Sequence, residues 1–338
     1  MIKKNLCGLT LDEIQRFIEP YGSTTDHANA VSHSIYKKRC SEITHITKIP
    51  KKLKEELKVG SCIGTYPPVT SSISEDKTIK YLFRTETAME FETVYIPDTK
   101  RTTVCVSTQS GCRMGCPYCI TGTYGFHGNL SALDILNQII SIPDSEKVTH
   151  VVFMGMGEPM DNLENVLKAC RIITSGWGLA ISSRNVTVST VGITPGIKKY
   201  LRGSDCNLTV SLFSPFAEER KAIVPVEKRY PVSTIIDIMK NFPVRKKRRL
   251  SLAYVMIKDY NDTDSHLEEL KTLLGGSEIR VNLLPYHKIK NDKNTSSSAE
   301  RMLYFKHNLV VSGISASVRH SRGIDISAAC GLLATGLK

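Results

Sequence analysis

The run Thr103-Val104-Cys105-Val106-Ser107-Thr108-Gln109-Ser110-Gly111-Cys112-Arg113-Met114-Gly115-Cys116-Pro117-Tyr118-Cys119 joins an apolar, β-rich segment to three cysteines spaced C-x3-C-x2-C. Five further apolar runs follow, at 151–154, 186–189, 208–211, 250–256 and 279–284, with helical patterns between them. Six strands separated by helices make βα units, and therefore a parallel sheet or barrel. Working back from Thr103, the pattern at 64–97 shortens to strands such as 81–84 and 93–96, broken by polar turns. Residues 11–18, 28–36 and 50–57 carry apolar side chains at helical spacing. The expected division is a helical unit over 1–62, a β extension over 63–100 and the barrel with its C-terminal segment over 101–338. The polar, Ser-rich stretch 288–299 reads as a loop.

The chain has 338 residues, 41% of them hydrophobic and 23% charged, which suits a folded protein with a sizeable core and not a disordered one. No apolar run approaches the ~18 residues of a membrane helix. The opening Met1-Ile2-Lys3-Lys4-Asn5-Leu6 meets Thr10, Asp12 and Glu13 before an apolar stretch builds, so no secretory signal is read and a cytoplasmic, membrane-free monomer is expected. Lys and Arg number 45 against 33 Asp and Glu, a net charge of +12. Such an excess favours a polyanionic partner, because cations gain by displacing counterions from phosphates. Arg245-Lys246-Lys247-Arg248-Arg249, with Lys51, Lys52, Lys54 and Lys58, reads as a phosphate-tracking face.

Ten cysteines without an export signal argue against a disulfide scaffold, since a reducing compartment keeps thiols free. Three of them fall within eight residues, where random placement would put about a quarter of one. Structural zinc takes four ligands, so a zinc site here would need a fourth from His127 or Cys105. An iron–sulfur cluster held by three thiolates instead leaves one iron open for a substrate.

Placed after the first barrel strand, Cys112, Cys116 and Cys119 resemble the cluster loop of the radical S-adenosylmethionine (SAM) superfamily. Gly155-Met156-Gly157-Glu158-Pro159 resembles its Gly-Glu motif. Val188-Ser189-Thr190-Val191-Gly192, Ser211-Leu212-Phe213-Ser214-Pro215 and Arg322-Gly323-Ile324-Asp325-Ile326 with Ala328-Ala329-Cys330-Gly331 narrow the likeness, over nearly the whole chain, to the RlmN/Cfr family of adenosine methyltransferases.

That resemblance implies an incomplete parallel (β/α)6 radical SAM barrel with a small helical RNA-binding domain and a β extension. It implies a [4Fe-4S] cluster on Cys112, Cys116 and Cys119 whose open iron binds SAM, and SAM contacts from Gly157, Glu158, Ser189, Ser211, Leu212, Phe213 and His287. Cys330 would carry the methyl group, Cys105 would resolve the covalent adduct through a transient disulfide, and Glu92 would accept the ring proton. The implied activity is methylation of an adenine carbon, C2, in 23S rRNA and/or tRNA, with an electron donor such as flavodoxin or ferredoxin. The amidine carbons of adenine carry no nucleophilic lone pair, so direct methyl transfer from SAM cannot reach them, and a radical route through a second sulfur can. Competing readings are C8 methylation of an rRNA adenosine, a radical SAM enzyme on another substrate, and a zinc-stabilised RNA-binding protein.

Four positions depart from the family pattern: Phe213 in place of His, His287 in place of Asn, Gly128 in place of Arg and Leu332 in place of Gln. None is one of the cysteines, so they bear on substrate and SAM contacts and leave the reaction type alone. They mark a divergent member of the family.

Overall fold

The computed structural model describes residues 3–243, 248–289 and 292–334. The N-terminal body pairs strand β1 (Lys4–Asn5) in parallel with β2 (Ser61–Cys62), and between them run helices α1 (Leu11–Ile18), α2 (Thr25–Tyr36) and α3 (Lys51–Gly60). A capping box starts α1: the Glu13 N–H donates to Thr10 Oγ1 at 3.3 Å, and the Thr10 N–H to Glu13 Oε2 at 2.8 Å. The apolar stripe then buries Ile14 and Ile18. The two-residue strands are not legible in sequence, because so short a run carries no alternation. This body is tied to the barrel by Lys168 on Glu13, Arg171 on Asp12, and the Ser32 hydroxyl on Trp177 O at 2.8 Å.

Strands β3 (Thr70–Ile73), β4 (Ile79–Arg84) and β5 (Glu90–Ile96) form an antiparallel meander that continues into β6 (Thr103–Cys105). After β6, β7 (Gln109–Gly111) pairs with β8 (Phe126–Asn129), and the cysteine loop with the short α4 (Ile120–Tyr124) projects from this hairpin. Parallel strands β9 (His150–Phe153), β10 (Val186–Thr190), β11 (Asn207–Ser211), β12 (Leu250–Met256), β13 (Arg280–Pro285) and β14 (Ala316–Val318) complete one sheet of ten strands, ordered β14-β13-β12-β11-β10-β9-β6-β5-β4-β3. Helices α5 (Ala132–Ile140), α6 (Leu163–Thr174), α7 (Thr194–Gly203), α8 (Ala217–Ile223), α9 (Val232–Asn241), α10 (Asp264–Leu274) and α11 (Ala299–Val311) lie between the barrel strands. All six expected strands are present. The sheet adds β14 at its edge, where Ala316-Ser317-Val318 is too short to signal itself.

Alternation along the strands separates two faces. Val104, Val151, Phe153, Val188, Val210, Leu252 and Leu283 are buried in the core shared with the helices. The opposite face is small and polar: registered across neighbouring strands stand Ser189 and Thr209, Ser211 and Ala253, and Asn282 and Ser317. A hydrophobic wall backed by helices and a polar wall on the opposite face describe an open barrel whose inner lining suits a polar ligand.

Only part of the basic run is described. Residues 245–247 lie outside the described residues. Arg248 is half-buried, donating to Leu201 O at 2.9 Å with its guanidinium 5.4 Å from the Tyr200 ring centre and 5.6 Å from that of Phe242. Arg248 and the exposed Arg249 precede β12, at the N-terminal ends of the strands, whereas the cysteine loop sits at their C-terminal ends. These two residues therefore do not line the mouth that holds the cysteines.

Candidate active site

Ligands of open α/β sheets bind beyond the carboxyl ends of the strands, and that is where the chemistry gathers. Cys112 is fixed by its own N–H on Gly125 O at 2.8 Å, and the Cys119 N–H donates to Cys116 O at 3.2 Å. Gly111 permits the tight return of the hairpin: at φ +74°, a Cβ there would sit 1.7 Å from Gly125 O. Cys116 is buried, while Cys112 and Cys119 are half-buried. Burial, followed by the nearby charges of Glu158 and Cys119, pushes the Cys112 and Cys116 thiols up to about 12. Among the described residues no three His, Cys, Asp or Glu side chains converge as ligands of one ion would. Three soft thiols on one loop, without a fourth ligand of the kind structural zinc takes, fit a multi-iron cluster better than a single zinc.

The Gly-Glu segment packs directly against the chain after β6. The Gly155 N–H donates to Val106 O at 3.1 Å, the Met156 N–H to Ser107 Oγ at 2.8 Å and the Glu158 N–H to Gln109 Oε1 at 2.9 Å. Gly157 is needed here: at φ +97°, its Cβ would lie 2.5 Å from Gln109 Cβ. The Glu158 carboxylate is buried and already accepts from Thr190 Oγ1 at 2.6 Å, the Val191 N–H at 2.8 Å and the Met160 N–H at 2.9 Å. Burial outweighs those donors and lifts its pKa to about 7. Three of its roughly four acceptor sites are thus occupied within the protein, so the carboxylate braces the segment whose backbone faces the barrel mouth.

Ser189 and Ser211 are half-buried on the polar wall. Leu212 and Phe213 are buried, and Phe213 packs its ring 3.8 Å from that of Tyr118 in the cysteine loop. Its backbone is left-handed, φ 62°, with its carbonyl held by Asn261 Nδ2 at 2.6 Å. The Phe213 side chain therefore supports the loop from beneath and offers little surface of its own. His287 is half-buried, hydrogen-bonded to Ser321 Oγ at 2.7 Å, and burial lowers its pKa. Of the other departures, Gly128 pairs with Ser110 in the hairpin, and Leu332 is buried in the C-terminal turn.

Sequence reading does not find Arg220. Its buried guanidinium bonds the Glu227 carboxylate and spans the ends of β10 and β11, donating to Val191 O at 2.6 Å, Ser211 O at 2.9 Å and Leu212 O at 2.9 Å. One charged group thus fixes the rim on which Ser211 and Leu212 stand.

After β14 the chain crosses the mouth as a strap. Arg322 Nε meets Asp76 Oδ2 at 2.9 Å, and Ser74 Oγ donates to Asp325 Oδ1 at 2.6 Å. The strap then docks on the cysteine loop, with the Ile120 N–H on Gly331 O at 2.8 Å and Thr121 Oγ1 on Leu333 O at 2.7 Å. Cys330 is exposed by surface area although protein surrounds it, as expected of a thiol on the wall of a concavity. Burial and then the neighbouring Cys119 raise its pKa, while Cys105, buried at the end of β6, is raised by burial and then by Cys330. The strap thus brings Cys330 within electrostatic range of Cys105 and of the loop cysteine Cys119. Glu92 stands on the same face of the sheet as Cys105, because Val94 is registered with Cys105 and Glu92 lies two residues away. It is buried, with Lys80 Nζ at 3.2 Å and the Ala334 N–H donating at 2.9 Å.

Fold and site together define a radical SAM barrel, with a strap that docks on the cysteine loop and carries a thiol within electrostatic range of the strand thiol Cys105. Residues 106–274 match the radical SAM superfamily, and residues 4–63 match the ribosomal RNA large subunit methyltransferase N-terminal domain. The chain is 44% identical over 98% of its length to a probable dual-specificity RNA methyltransferase RlmN of Phocaeicola vulgatus, covering 95% of that protein. It is 35% identical over 96% of its length to the dual-specificity RNA methyltransferase RlmN of Geobacter sulfurreducens, covering 91% of it. The crystal structure of a radical SAM methyltransferase from Sphaerobacter thermophilus superposes with a TM-score of 0.90 at 36% identity, covering 98% of this chain and 99% of that one. The chain belongs to the RlmN-type RNA methyltransferases of the radical SAM superfamily, enzymes that use a [4Fe-4S] cluster and SAM. Among the described residues no helix is long and apolar enough to cross a membrane.

Replacing Cys112, Cys116 or Cys119 with alanine is expected to abolish the brown charge-transfer absorbance of anaerobically reconstituted protein together with activity. A variant that keeps a full iron and sulfide complement would count against these ligands.

Proposed function

We propose that this protein methylates C2 of an adenine in 23S rRNA and in tRNA through a methyl-cysteine on Cys330. The observation that carries this reading is the strap, which brings Cys330 from the far end of the chain to both Cys105 and the cluster loop. An enzyme that did not need a carbon carrier would have no use for that pairing. The relatives' name, a dual-specificity RNA methyltransferase, supports two RNA substrates.

Cys112, Cys116 and Cys119 hold the cluster; Gly157, Ser189, Ser211, Leu212 and His287 line SAM, with Glu158 and Phe213 bracing that wall. Bound cluster and SAM supply a hydrogen-abstracting radical. The protein's own groups do the rest. Cys330 takes a methyl group from one SAM at sulfur, a displacement that releases S-adenosylhomocysteine and for which the thiolate is the competent form. After the carbon is joined to the base, the unpaired electron left on the ring would pass to a one-electron acceptor such as the oxidised cluster, and Glu92 receives the ring proton. The Cys105 thiolate then attacks the Cys330 sulfur: the S–S bond forms as the S–CH2 bond breaks, and the electron pair stays on carbon, which takes up a proton to become methyl. The two thiols end as a disulfide, reopened by cellular dithiols. Residues 1–62 serve as an RNA-binding domain, 63–100 as the extension that anchors the strap, and 101–338 as the catalytic body. The setting is the cytoplasm, with a flavodoxin or ferredoxin as reductant and the chain acting as a monomer.

Anaerobic reaction of the reconstituted protein with SAM, reductant and total RNA, followed by digestion and mass spectrometry, should yield 2-methyladenosine. A C8 product, or unmodified RNA alongside cleaved SAM, would overturn the assignment. Cys105→Ala should leave a covalent protein–RNA species visible as a shifted band, and a clean gel with normal product would remove the resolving role.

A further inference from the structure

Lys80 belongs to none of the expected site residues, yet it stands where the extension meets the strap. It is registered with Val94 across β4 and β5, on the face that also carries Glu92 and Cys105. Its Nζ lies 3.2 Å from Glu92 Oε1 and 3.5 Å from Ser327 O, three residues before Cys330. Glu92 Oε2 accepts from the Ala334 N–H at 2.9 Å, four residues after Cys330. The Lys80–Glu92 pair therefore grips the Cys330 turn on both sides. Its own surroundings are dry, with side-chain exposures of 16% for Lys80 and 7% for Glu92.

We propose that Lys80 is a positioning residue of the methyl-transfer reaction, holding Glu92 as a carboxylate and aligning it with the Cys330 turn, so that loss of the ring proton depends on it while methylation of Cys330 does not. This rests on the reading of Glu92 as proton acceptor. The step concerned is a single proton transfer: the ring C–H bond breaks, its electron pair remains in the ring, and the proton goes to a Glu92 oxygen. Burial disfavours the charged form of Glu92, and Lys80 is the largest opposing influence, ahead of the Ala334 amide. Charged or titratable groups on the elements packed around Glu92 include Arg84 and Glu90, paired with each other at 2.5 Å, Cys105 on β6, and Arg322, Asp325 and Cys330 on the strap. Neither arginine supplies a second cation to Glu92, since Arg84 is engaged by Glu90 and Arg322 by Asp76. The turn itself has other anchors, Gly331 on Ile120, Leu333 on Thr121 and Arg322 on Asp76, and these remain when Lys80 is changed.

The test uses full-length, cluster-reconstituted Lys80→Met, Lys80→Gln and Lys80→Arg beside Glu92→Gln, with transcribed 23S rRNA fragment as substrate. Peptide mass spectrometry reads Cys330 methylation, and gel shift reads the rise and decay of the protein–RNA adduct as a function of pH. Lys80→Met and Lys80→Gln should methylate Cys330 as the wild type does, yet resolve the adduct on the order of tenfold more slowly on the acid limb, where fewer molecules hold Glu92 as a carboxylate. The acid limb of resolution should move to higher pH, because a carboxylate without its cation is protonated at higher pH. Lys80→Arg should restore the profile. Wild-type resolution in Lys80→Met and Lys80→Gln would overturn the inference, as would a parallel loss of Cys330 methylation, the mark of a merely structural role. Normal resolution in Glu92→Gln would instead remove Glu92 as proton acceptor, and the inference with it.

Discussion

Cys330→Ala is expected to abolish RNA methylation, on the order of 10⁴-fold or more, the scale on which losing a covalent nucleophile acts. The substitution removes only a sulfur on a solvent-reachable turn. The bonds that seat the turn come from Gly331 O and Leu333 O, backbone groups that alanine at 330 leaves in place. Fold, cluster and SAM binding should persist, and reductive SAM cleavage should remain measurable as 5′-deoxyadenosine. Methyl incorporation from labelled SAM into protein should vanish along with methyladenosine in RNA. Normal methyladenosine from this variant would show that carbon reaches the base by another route.

Arg220→Met is expected to cost stability more than any other single change near the site. Its guanidinium is fully buried and satisfied by Glu227 and by the carbonyls of Val191, Ser211 and Leu212. Methionine leaves the Glu227 charge buried without its cation, a loss of about 3–5 kcal/mol in comparable pairs. It also removes the charged donor to the carbonyls of Val191, Ser211 and Leu212 at the ends of β10 and β11, of which Leu212 O keeps the Ser214 N–H at 2.8 Å. Equilibrium denaturation should show the midpoint falling accordingly. Glu227→Gln in the same background should recover part of the loss by removing the stranded charge. A variant with wild-type stability would mean that the pair contributes specificity of the rim and little energy.

Strong local periodicity made the six barrel strands and the three N-terminal helices readable, and cysteine spacing made the cluster loop readable. These signals are local because each element must bury its own face. Cys105, Cys330 and Glu92 were different: taken alone, each reads as a buried thiol or a strand carboxylate, and family likeness gave them roles. Lys80, Arg220 and the Asp76–Arg322 tie carried no signal at all. A partner 246 residues away leaves no period or spacing to find.

Local patterning is enough to specify a parallel βα architecture, a three-cysteine loop at the end of its first strand and a cationic balance suited to phosphate. Which groups meet follows from the packing of distant segments. Pairing the extension to one edge of the sheet and running the strap back from the other brings Ser74, Asp76, Lys80 and Glu92 against residues 322–334. It also placed Arg248 and Arg249 at the wrong end of the barrel for the mouth, and turned Phe213 inward beneath Tyr118. Strand order and burial decide such matters, because they depend on which surfaces exclude water together, and no single segment contains that information.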